Sequence, residues 1–130
     1  FIIRGYEIEE TYVSLETAKL AKEKGFNVFC THYYHLEYNI GELQTTERKF
    51  QYLNSDHDNL IKAPTQSLLQ KWLREKFFIH IAITSNSQES WQFHICIPNK
   101  YKLGDVYEED FSSYEEALEA GLFRGLTFIK

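Results

Sequence analysis

Two histidines stand inside apolar, alternating segments of this chain, His80 in FFIHIAI and His94 in WQFHICI. Alternation with period two predicts strands, and the polar SNSQES between them predicts a hairpin turn. Pairing Ile79 with Ile95, Ile81 with Phe93 and Ile83 with Trp91 gathers the large apolar side chains on one face. That register sets His80 directly opposite His94 on the other face, beside Phe78, Ala82 and Cys96. Two imidazoles so placed could supply two ligands to zinc, in a metal-dependent hydrolase completed by one acidic residue. Zinc needs three or four protein ligands, and the sequence places no third beside this pair. Nor is either histidine followed by the His-x-Thr or His-x-Ser pattern of two-motif phosphoesterases. Neither a metal nor another cofactor is expected.

THYYHL offers a second cluster, His32, Tyr33, Tyr34 and His35. Flat rings suit stacking on a base or nucleotide. Strand alternation sends Tyr33 and His35 to one side and His32 and Tyr34 to the other, and a strand with a buried tyrosine is the simpler reading. Tyr33, His35 and Tyr52, with His80 and His94, form the candidate set for a small nucleotide-like ligand. SDHD, with Asp56, His57 and Asp58, reads as a solvated turn, and the acidic YEEDF, with Glu108, Glu109 and Asp110, as a solvated approach to a helix. The chain has no Gly-rich phosphate loop, CxxC pair, HExxH helix or nucleophile elbow. No catalytic residue is assigned, and an enzyme is the less favoured class.

The elements that would position these groups are legible from caps and periodicity. In VSLETAKLAKEKGF, Ser14 can cap a helix, Glu16 suits its first turn, and Gly25 its left-handed end. FNVFCTHYYHL follows as a strand, with Phe26, Val28 and Cys30 on one face. TERKFQYL is a second strand within an otherwise polar segment from 37 to 63. In APTQSLLQKWLREK, Thr65 caps a helix carrying Leu68, Leu69, Trp72 and Leu73 at helical spacing, to about Lys76. The apolar face of the next strand begins at Phe77. After a polar stretch, NKYKLGDVYEEDF, the segment SYEEALEAGLFRGLTFI opens with a capping box, Ser113 and Glu116, and places Leu118, Leu122, Leu126 and Ile129 on one stripe. Gly121 and Gly125 within it imply a flat patch packed closely on the sheet.

Laying Ser14 on Thr65 brings Phe26 onto Phe77 and Val28 onto Ile79, which suggests two helix-strand-strand units and a closing helix. The expected fold is therefore α+β: one four-stranded antiparallel sheet with helices on one face. Its other face would be partly bare and open to a partner.

With 130 residues, 43% of them hydrophobic and 25% charged, the chain suits one domain. Residues 1–11 are read as a flexible or appended N-terminal extension, since no methionine occurs. An aromatic share of 16% suits a ring-built core. The net charge of -5 argues against a nucleic-acid footprint. Cys30 and Cys96, far apart in strand-like contexts, read as buried thiols in a reducing compartment. No stretch reaches the ~20 apolar residues of a spanning helix, so no membrane partner is expected.

SLETAKLAKEKGF, APTQSLLQKWLRE and SYEEALEAGL together resemble a family of small uncharacterised proteins encoded by phages and prophages of anaerobic gut bacteria. The resemblance spans roughly residues 12 to 126. It implies a genomic setting and no catalytic residues. On that basis the expectation is a non-enzymatic phage accessory protein in the host cytoplasm, or associated with the virion, acting by protein-protein interaction or assembly. Its partner would be another protein or a second copy of itself. A nucleotide-binding protein and a hydrolase using His80 and His94 are the alternatives.

Overall fold

Three hydroxyls open three helices. Ser14 accepts a hydrogen bond from Thr17 N, Thr65 from Leu68 N, and Ser113 from Glu116 N, so each satisfies an amide that the first turn leaves without a helical partner. The computed structural model describes residues 8–45, 59–86, 88–98 and 101–130, with the side chains of 101–105 outside that description. In chain order the described elements are α1 (Leu15–Glu23), β1 (His32–His35), β2 (Gln44–Thr45), β3 (Leu60–Lys62), α2 (Gln66–Phe77), β4 (His80–Ser85), β5 (Trp91–Ile97), β6 (Tyr101–Phe111) and α3 (Tyr114–Leu126). The fold is α+β, and none of its described helices is long and apolar enough to cross a membrane.

The single four-stranded sheet is corrected to two three-stranded antiparallel sheets, ordered β2-β1-β3 and β4-β5-β6. Three strands account for the change. β2 and β3, the short QT and LIK, lie in a segment expected to be irregular, and β6 occupies the stretch expected to be a polar connection. Among the described residues β6 pairs only with β5, at the edge of its sheet. Its Glu108, Glu109 and Asp110 are exposed residues of a strand end, not of a helix approach. Charge at such an edge hides the strand from hydrophobic periodicity while discouraging unwanted pairing.

The hairpin forms, but its register is two residues from the expected one: Ile81 pairs with Ile95, Ile83 with Phe93, Ala82 with His94 and His80 with Cys96. A slip of two preserves every side-chain face, so the apolar pattern alone cannot distinguish the two registers. The turn distinguishes them. Asn86 N donates to Ser90 O, and the Asn86 side-chain oxygen accepts from Gln88 N and Ser90 N, closing the loop directly after Ser85 pairs with Trp91.

β4 also starts later than Phe77. Phe77 completes α2, and Phe78 takes a left-handed conformation (φ 57°), with its N–H bonded to Arg74 O and the next N–H to Leu73 O. Similarly, Phe26 and Cys30 are buried on one face as expected, yet that segment joins a ladder only from His32. The second expected strand, TERKFQYL, lies outside the described residues.

The repeat persists only in outline. Each of α1 and α2 is followed by three strands, but the central strand is the first of its set in one sheet and the second in the other. The approaches to the two helices run side by side, joined by Val13 N to Pro64 O at 3.0 Å and Gln66 N to Thr11 O at 2.8 Å.

One continuous cluster of buried side chains links the two described sheets and the three described helices. Trp72 joins the halves, its ring edge-on to Phe26 (5.2 Å) and to Phe77 (5.0 Å). α3 lies on the inner face of β4 and β5, where Gly121 meets Ile81 and Phe93 and Gly125 meets Ile81 and Ile79. The pair does form the flat patch expected of it.

Candidate functional site

The hairpin histidines lie on the sheet face away from α3, but they do not oppose one another. His80 pairs with Cys96 and His94 with Ala82, which leaves the imidazoles on a diagonal. His94 stacks on Tyr107 of β6 (5.7 Å, 19°), and its Nε2 is 2.9 Å from Gln92 Nε2. Its Nδ1 is buried with no hydrogen-bond partner among the described residues. Among the described residues no three His, Cys, Asp or Glu side chains come together as a metal-binding group.

In the other sheet, Tyr34 is the buried residue of β1 and donates its hydroxyl to Val13 O at 2.6 Å. Burial raises its pKa, and the nearby Glu119 and Glu16 carboxylates raise it further. His32 lies against Tyr12 (ring centroids 4.1 Å apart), and burial lowers its pKa. His35 has a local structural task, because its Nδ1 accepts from Glu37 N at 3.0 Å and Tyr38 N at 3.1 Å. Tyr33 pairs with Gln44 and Lys62 in the ladder. Tyr33 and His35 thus belong to one sheet and His80 and His94 to the other. Tyr52, Asp56, His57 and Asp58 lie outside the described residues.

Both cysteines are outside any disulfide. Burial pushes the Cys30 thiol up to about 11, against a smaller lowering by Lys62, so it is a core group and not a nucleophile at neutral pH.

The arrangement that sequence reading missed centres on Glu119. Its Oε2 accepts from Ser14 N (3.1 Å), Ser14 Oγ (3.0 Å) and Thr17 Oγ1 (2.5 Å), while Oε1 accepts from Gln66 Nε2 (3.1 Å). A carboxylate on α3 therefore sits at the N-terminus of α1, where the helix dipole favours negative charge. Thr17 and Gln66 are buried, so the acceptor satisfies donors that have little access to water.

Beside this junction is a cleft of about 640 Å³ between α1, the end of β6 and the outer side of α3. Among the described residues, Phe111, Ala120 and Phe123 supply its apolar lining, Glu16, Glu108, Glu116 and Glu119 supply carboxylates, and Arg124 supplies a guanidinium. Phe111 is anchored by Phe93 of the core (5.9 Å), whereas Phe123 remains 43% exposed. Glu116 is held by Ser112 N at 3.2 Å and by the Ser112 hydroxyl. Arg124 lies over the Phe128 ring, 5.4 Å from its centroid.

A signal for this surface does exist in the sequence. Glu116, Ala120, Phe123 and Arg124 of α3 and its C-cap Thr127 recur at helical spacing, beside the stripe that packs on the sheet. Phe123 is the apolar residue that does not belong to the core stripe. What sequence could not supply was the opposing wall, because β6 was not recognised as a strand. No family model, no curated protein and no solved structure matches the chain.

Proposed function

We propose that the protein is a non-enzymatic binding protein that docks another protein in the cleft between α1, β6 and α3. The observation that carries this reading is the exposed Phe123 beside Phe111 and Ala120, an apolar surface set in a shallow, open cleft. Two carboxylates nearby already have structural partners: Glu119 caps α1, and Glu116 binds Ser112. That arrangement favours attachment over acid-base chemistry. The resemblance of three segments to phage-encoded proteins supports an accessory role in an infected bacterium.

The alternatives have less support. A phosphate-bearing ligand would meet four carboxylates in the cleft, and the described candidates for a nucleotide site, Tyr33 and His35 against His80 and His94, are divided between two sheets. The hydrolase reading requires His80 and His94 to converge with an acidic residue, whereas the register sets the histidines on a diagonal.

A photo-crosslinking phenylalanine analogue at position 123, compared in host cells with one at the more exposed Phe78 outside the cleft, tests the proposal. A defined crosslinked protein obtained from position 123 alone is expected. The same products from both positions, or none from position 123, would count against docking in the cleft.

A further inference from the structure

We infer that the cleft's occupant is a basic segment of a partner protein, in which a large apolar side chain is flanked by Lys or Arg. The inference rests on the docking reading above and specifies the partner's chemistry. Its grounds are the two kinds of surface that meet there. Phe111, Ala120 and Phe123 can receive an apolar anchor, and among the described residues the ionic side chains lining the cleft are four carboxylates against one guanidinium.

The carboxylates occupy different walls. Glu16 stands in the exposed first turn of α1 and Glu108 on exposed β6, while Glu116 and Glu119 come from α3. A segment entering between these elements would meet negative charge on several sides. Lys supplies a compact charge for such a site, and Arg a fork that pairs with a carboxylate through two hydrogen bonds. The charges select the partner and speed its approach, while burial of its apolar side chain supplies most of the affinity.

The same charge pattern disfavours other occupants. An acidic peptide or a phosphate would be repelled. A second copy would bring another chain of net charge -5 towards a carboxylate-rimmed cleft. At the end of β6 the exposed Glu109 and Asp110 continue the pattern and suit a basic neighbour better than another acidic strand.

Selection from a displayed random 12-residue peptide library, followed by titration of the strongest synthetic peptide, tests the inference. The expected consensus carries Lys or Arg around an aromatic or aliphatic residue. Glu16→Gln combined with Glu108→Gln should weaken binding about 3- to 10-fold at low salt, and the loss should shrink as salt screens the charges. Phe123→Ala should weaken it about 30-fold, as for an interface hot spot. Tyr107→Ala, on the opposite face of the second sheet, should leave affinity unchanged.

Circular dichroism of each variant establishes that the fold is retained. A neutral or acidic consensus still lost with Phe123→Ala would overturn the basic segment but leave docking in the cleft intact. Binding indifferent to Phe123→Ala, or no enriched peptide, would overturn both.

Discussion

At the scale of single residues, Glu119 is the most consequential polar side chain, because one carboxylate serves donors on two other helices. Glu119→Ala should lower unfolding free energy by about 2–3 kcal/mol, measured by urea denaturation, since Thr17 and Gln66 would be left buried without this acceptor. Glu119→Gln should cost less, because it retains an oxygen acceptor. The glycines of α3 give a sharper contrast. A Cβ at Gly121 would approach Ile81 Cγ2 to 2.9 Å and Phe93 Cβ to 3.1 Å, so Gly121→Ala should destabilise by about 1–3 kcal/mol. At Gly125 the nearest atom is the mobile Ile81 Cδ1 at 3.1 Å, and up to ~1 kcal/mol of helix propensity can offset the contact. Gly125→Ala should therefore change stability little, with the two urea midpoints clearly separated.

Cys30 and Tyr34 supply a pH dependence whose sign is fixed by burial. Both folded-state pKa values are raised, so the folded protein keeps protons that the unfolded chain releases. Their contribution is intact below the unfolded values of 9.0 and 10.0, and stability falls as pH rises above them, with the Cys30 part lost towards about 11. Cys30→Ala should flatten the fall measured between pH 9 and 11. An unchanged slope would show that the thiol titrates alike in both states. The burial of Cys30 was legible from alternation, which also put Tyr33 and Tyr34 on opposite faces without choosing the buried one; Glu119 was not legible, because its partners are 53 to 105 residues away in sequence.

At the scale of elements, local signals sufficed where a single residue governs an ending. Ser14, Thr65 and Ser113 marked all three described helix starts, and Gly25 takes the left-handed conformation (φ 97°) anticipated after α1. Phe78 was less visible because aromatic residues seldom occupy that conformation. Its side chain is 65% exposed, so little burial is lost on removing it. Phe78→Gly should raise stability by up to ~1 kcal/mol through relief of the backbone, after the greater unfolded-state freedom of glycine is subtracted. A lower urea midpoint for this variant would show that the phenyl ring contributes more than the strain costs. The two-residue register difference has a different origin: side-chain alternation fixes the face of a strand, whereas the Asn86 turn fixes how far its partner slides.

At the scale of the molecule, the distribution of burial separates framework from interaction surface. α3 has one side closed on the sheet through Leu118, Gly121, Leu122 and Gly125, and another bearing Phe123 at the cleft. The α+β class followed from alternating helix and strand patterns. Division into two sheets depended on pairings that no local pattern encodes, and the cleft depended on that division. Amide chemical-shift mapping during titration with the strongest selected peptide is the direct test of docking. Shifts concentrated at Ser14–Thr17, Glu108–Phe111 and Glu116–Thr127 are expected. Shifts centred instead on His80, His94 and Tyr107, or on Tyr33 and His35, with the cleft unaffected, would contradict it.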